Sequence, residues 1–78
     1  MRVKASRIVD ARGYMCPYPI MLLSFTLKST LPGDIVEVKA TDPAFERDVA
    51  SWAEETGNEL LEVRREGDVI VAYVRRVK

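Results

Sequence analysis

The sequence predicts a two-layer α/β (α+β) sandwich with the order β-α-β-α-β-β, in which a mixed four-stranded sheet carries both helices on one face. Three observations lead there. Two segments with helical apolar spacing are each fenced by proline and glycine, an alternating segment lies between them, and the chain closes on two β-rich segments joined at Glu66-Gly67-Asp68. A β-α-β crossover between parallel strands is almost always right-handed, so successive helices fall on the same side and leave the other face to water.

Each element has its own signal. The first strand is read at Ser6 to Ala11 from the β-branched Ile8 and Val9, and stops before Arg12-Gly13. The first helix is expected from just after Cys16 to about Ser29. Pro17 suits a first helical position and Pro32-Gly33 ends the run. Ile20, Leu23, Leu27 and Leu31 form its core stripe, with Met21, Leu22 and Phe25 on the opposite side. Asp34 to Ala40 alternates Val36, Val38 and Ala40 against Glu37 and Lys39, the pattern of a half-buried strand. Asp42-Pro43 offers a cap and a first-turn proline for the second helix, whose buried face is Phe45, Val49 and Trp52 and whose stop is Gly57-Asn58. Glu59 to Arg65 and Val69 to Val77 are the last two strands, with Gly67 free to take positive φ in the hairpin turn.

Composition narrows the function. The 78 residues read as a single domain, 1–78, without internal repeat or linker, and a domain of this size has no room for a cleft between lobes. Any site must lie on the surface. Twelve basic and twelve acidic residues balance, so general nucleic-acid or membrane attraction is not expected. The basic residues Arg64, Arg65, Arg75, Arg76 and Lys78 are interleaved with Glu54, Glu55, Glu59, Glu62 and Glu66 and read as a solvated mixed surface. The opening residues, Met1 to Arg7, lack the apolar run of a signal peptide and no stretch is long enough to span a bilayer, so a cytoplasmic location is expected; a monomer is expected as well. One cysteine and no histidine leave no zinc or copper ligand set, no internal disulfide and no Cys-His dyad.

The chemistry then rests on Asp10-Ala11-Arg12-Gly13-Tyr14-Met15-Cys16-Pro17-Tyr18-Pro19. A lone cysteine is commonly an inert small hydrophobe, but Cys16 stands at a loop-to-helix junction beside Gly13 and two prolines, where a thiol is accessible. With Cys16 as the helix cap, the free N–H groups and aligned peptide dipoles of the first turn favour the thiolate. Pro17 and Pro19 remove two donors, which leaves the Tyr18 amide as the sulfur's main partner. Asp10 is expected to order the loop through backbone N–H groups. Arg12 either lends charge to the sulfur or is solvated, the latter being the commoner fate of a loop arginine. Met21, Leu22 and Phe25 have two readings, a docking strip one turn from the thiol or a completion of the core.

At this segment the chain resembles the TusA/SirA-like sulfur-carrier family. Asp10, Gly13, Cys16, Pro17 and Pro19 match its pattern of Asp, Gly and Cys-Pro-x-Pro. Pro32-Gly33, Asp42-Pro43, Asp48, Trp52, Gly57 and Leu60 continue the match downstream, while Ala50 departs from a common proline. The resemblance implies a carrier rather than a stand-alone enzyme. Cys16 would accept sulfane sulfur as a transient persulfide, without another cofactor, from a donor such as a cysteine desulfurase or rhodanese-like protein. It would hand that sulfur to an acceptor protein, as in tRNA thiolation or sulfur metabolism. Two other classes remain open: a thiol-redox regulator forming mixed disulfides, and an RNA-binding module using the open sheet.

Overall fold

A computed structural model describes residues 4–77. The Met1-Arg2-Val3 part of the N-terminal reading, and Lys78 of the basic group, lie outside the described residues. The elements follow the expected order: β1 (Arg7–Ala11), α1 (Tyr18–Leu27), β2 (Ile35–Ala40), α2 (Phe45–Thr56), β3 (Glu59–Glu66) and β4 (Val69–Arg75).

The sheet order is β1-β2-β4-β3, with β1 parallel to β2 and β4 antiparallel to both β2 and β3. Strand β3 therefore runs parallel to β2 with β4 inserted between them. Both crossovers, β1-α1-β2 and β2-α2-β3, consequently pack a helix onto the same side. Val9 and Ala11 of β1, Val36, Val38 and Ala40 of β2, and Ile70, Ala72 and Val74 of β4 face that side. They meet Leu23 and Leu27 of α1 and Phe45 and Val49 of α2. Trp52 is half-buried against this core, as its place on the α2 stripe predicts.

Three expectations need correction. Leu31 is 72% exposed, because α1 ends at Leu27 and the stripe was extended past the last turn. There the Thr30 hydroxyl donates to the Leu27 carbonyl, and the Arg76 guanidinium donates to the carbonyls of Leu27 and Thr30, closing the helix end. Leu22 packs half-buried on the core, so it is not part of a fully exposed strip.

The far face of the sheet is also less open than expected. Val71 and Tyr73 of the central strand β4 point away from the helices, yet both are buried. Their cross-strand neighbours are Glu37 and Lys39 on one side and Glu62 and Arg64 on the other, whose aliphatic stems cover apolar surface while the charges stay wet. Arg64 lies 5.6 Å from the Tyr73 ring centre and donates to its hydroxyl at 3.2 Å.

Candidate functional site

The register Ala11↔Ala40 aligns the carboxyl ends of the parallel pair β1 and β2. The loops that follow them, and the amino ends of both helices, therefore meet at one rim of the sheet. In open α/β sheets this is where sites form. The β1–α1 loop begins with a turn in which the Tyr14 N–H donates to the Ala11 carbonyl at 3.2 Å, and Gly13 takes φ 87°. A side chain there would meet no neighbour, so the glycine is required by its backbone conformation alone. Its N–H donates to Thr41 Oγ1 at 3.0 Å, the first tie between the two loops.

The second tie reaches the cysteine itself. The Cys16 N–H donates to Asp42 Oδ2 at 2.8 Å, while Asp42 Oδ1 accepts from the Ala44 N–H at 3.1 Å. Asp42 is buried, and its carboxylate joins the thiol loop to the start of α2. One turn on, Asp48 completes a cluster in which Cys16 Sγ and an oxygen from each of Asp42 and Asp48 lie within 4.8 Å of one another. That spacing would suit a cation, a possibility that counting histidines and cysteines overlooked. Both Asp42 oxygens already accept from backbone N–H groups, however, and the Asp48 carboxylate stands within 4.8 Å of the thiol.

Cys16 is exposed, as its loop placement predicts, but two parts of the expected activation do not hold. The cap of α1 is Pro17, and the Tyr18 N–H closes a turn onto the Met15 carbonyl at 2.9 Å, so it is not free to receive the sulfur. The Cys16–Pro17 peptide is cis. Nor is the sulfur biased toward the anion. The hydrogen bond to Asp48, partial loss of water, and the charges of Asp48 and Asp42 push the thiol above its ordinary value, with Arg47 pulling the other way. Proximity explains the outcome: a helix end is worth only about 0.3–1 kcal/mol, and two carboxylates within 4.8 Å of the sulfur favour its neutral form.

The remaining residues sort clearly. Arg12 does not serve the sulfur: its Nε and Nη2 each donate to the Asp10 carboxylate at 2.8 Å, and Asp10 also accepts from the Arg12 N–H at 3.2 Å. Asp10 thus orders the loop, and these bonds hold its carboxyl at about 2. Pro19 is buried in the first turn of α1. Tyr14, Met15, Tyr18, Met21 and Phe25 are all exposed, and Tyr18, Met21, Leu22, Ser24, Phe25 and Lys28 line a groove of about 430 Å³ along α1.

Asp42 and Asp48 are the site neighbours missed from sequence. Their signal was present in the Asp42-Pro43 pair and in Asp48, but only the parallel register of β1 and β2 shows that they face Cys16. Asp42→Ala is expected to cost about 1–3 kcal/mol, as two N–H groups lose their acceptor, with a smaller loss in Asp42→Asn; urea melts of both variants check this. Among the described residues, no helix is long and apolar enough to cross a membrane.

Comparison with known proteins adds an independent observation. The family profile described as sulfurtransferase TusA matches residues 7–76. A protein of Aquifex aeolicus is 40% identical over 74 residues, and one of Archaeoglobus fulgidus 39% over 71; both carry the name of candidate sulfur carrier proteins. These alignments cover 95% and 91% of this chain, and 38% and 97% of the respective relatives, so the chain spans well under half the length of the Aquifex protein. The sulfur carrier protein TusA of Pseudomonas aeruginosa is 35% identical over 69 residues, covering 88% of this chain and 87% of its own. The crystal structure of a SirA-like protein from Desulfitobacterium hafniense superposes with a TM-score of 0.79 at 22% identity, covering 92% of this chain and 99% of that one, which shows the shared fold.

Proposed function

The chain belongs to the sulfurtransferase TusA family, and from that premise we propose that it is a sulfur carrier that holds sulfane sulfur as a persulfide on Cys16. The observation that carries this reading is the exposed thiol of the chain's one cysteine, standing on a loop that Thr41 and Asp42 of the β2–α2 connection hold in place. A carrier needs its sulfur on a ridge that can enter another protein's site, and a 78-residue domain with its reactive atom at the sheet rim meets that need.

The transfer balances without a redox partner. Cys16 loses its proton, and the resulting thiolate attacks the outer sulfur of a donor persulfide. One S–S bond forms, the donor's S–S bond breaks, and the departing donor thiolate takes up a proton. An acceptor later removes the outer sulfur in the same way. The donor is a cysteine desulfurase or rhodanese-like protein, and the sulfur goes on to tRNA thiolation or another branch of sulfur metabolism. Incubation with a small persulfide donor followed by intact-mass measurement tests the reading: a gain of one transferable sulfur atom supports it. Adducts of the donor's thiol alone would instead favour the mixed-disulfide regulator.

The groove along α1 supports a docking role for Met21 and Phe25, which are 55% and 77% exposed and contribute little to the core. The double substitution Met21→Ser with Phe25→Ser is expected to slow loading from a protein donor at least several-fold and to leave loading from a small persulfide unchanged. Equal rates from the protein donor would remove this strip from the docking surface.

A further inference from the structure

An exposed thiolate reacts with any electrophile it meets, so a carrier gains from a sulfur that is neutral until transfer begins. The rim of the sheet supplies groups for that purpose. Asp42 is fixed by the N–H groups of Cys16 and Ala44, which hold one of its oxygens within 4.8 Å of Sγ. Asp48, in the first turn of α2, brings a second carboxylate within the same distance, and its side chain is only 24% exposed. The opposing charge is Arg47, whose Nε is 3.9 Å from Asp48 Oδ1 but whose side chain is 83% exposed. On the cysteine's own loop, Arg12 is occupied by Asp10.

We propose that Asp48 is a positioning residue that takes the hydrogen bond of the Cys16 thiol and keeps the resting carrier in its neutral, unreactive form. This rests on the reading of Cys16 as the sulfur-bearing residue and adds the control of its charge. Asp42 sets where the sulfur stands, and Asp48 sets how readily it ionises. The direction agrees with the displacement of the thiol above its ordinary value, to which Asp48 is the largest contributor.

The test is the rate of Cys16 alkylation by iodoacetamide from pH 6 to pH 10, because only the thiolate reacts. In Asp48→Asn the midpoint of the profile moves down and the rate at pH 7 rises, by about tenfold for each pH unit of displacement. In Arg47→Gln, which removes only an exposed cation, the midpoint moves up. An Asp48→Asn midpoint equal to or above that of the wild type overturns the proposal. Should that variant not fold, an Arg47→Gln midpoint that stays put or falls overturns it instead. Persulfide loading of the same samples is read separately. A wild type that alkylates as described but never gains sulfur sinks the carrier function and leaves the role of Asp48 standing; normal loading with an unmoved midpoint sinks only the latter.

Discussion

Cys16→Ser is expected to abolish sulfur loading while leaving the fold unchanged. The two effects separate because the backbone and side chain of this residue do different work. Its N–H donates to Asp42, a bond that serine keeps. The side chain is exposed and belongs to no apolar cluster, so nothing in the core is lost. A hydroxyl can also donate to Asp48 in place of the thiol. The change in unfolding free energy should therefore stay within about 0.5 kcal/mol, as for a surface substitution away from special features. Loading, by contrast, requires a sulfur that can form an S–S bond. Intact mass after exposure to a persulfide donor checks the chemistry, and urea unfolding checks the fold. Sulfur retained by the serine variant would place the carrier function elsewhere. A large loss of stability would mean that the thiol is a structural group.

The order of elements was legible because each local pattern agreed with the whole. Val36, Val38 and Ala40 alternate where β2 lies, and Phe45 and Val49 recur at helical spacing where α2 lies. Gly57 and Gly67 take positive φ at the stop and turn their positions predicted. Failures came where the outcome depended on distant segments. The stripe on α1 says nothing about where the helix ends, and Leu31 lies beyond a terminus capped by Arg76 from the far end of the chain. Likewise, the charges of Glu37, Lys39, Glu62 and Arg64 read as a wet sheet face, although their stems bury Val71 and Tyr73.

The thiol shows the same division. Its exposure followed from a local signal, the loop with Gly13 and the prolines, and was predicted correctly. Its ionisation depends on a carboxylate 26 positions away and on another in the first turn of α2, brought in by strand register. A helix end is a weak field, and two nearby carboxylates outweigh it.

Phe45→Ala carries the largest expected cost in stability, about 3–5 kcal/mol. Phe45 is 1% exposed and is the largest side chain in the fully buried set, seated where α2 meets the sheet. Truncation removes its transfer free energy and leaves a cavity that β-branched neighbours such as Val36 and Val38 cannot refill. A domain of this size has roughly 4–12 kcal/mol in total, so the variant loses a large share of its stability. Trp52, the single tryptophan, is half-buried on the same helix and reports unfolding by fluorescence during a urea titration. The site should feel the change as well. The Phe45 N–H donates to the Asp42 carbonyl at 3.0 Å, and Asp48 lies one turn along the same helix. Loosening this anchor relaxes the carboxylates away from Sγ, so in the folded fraction the alkylation midpoint of Cys16 should fall toward that of an ordinary thiol. A stability loss below about 1 kcal/mol would show that the start of α2 is held by something other than this ring.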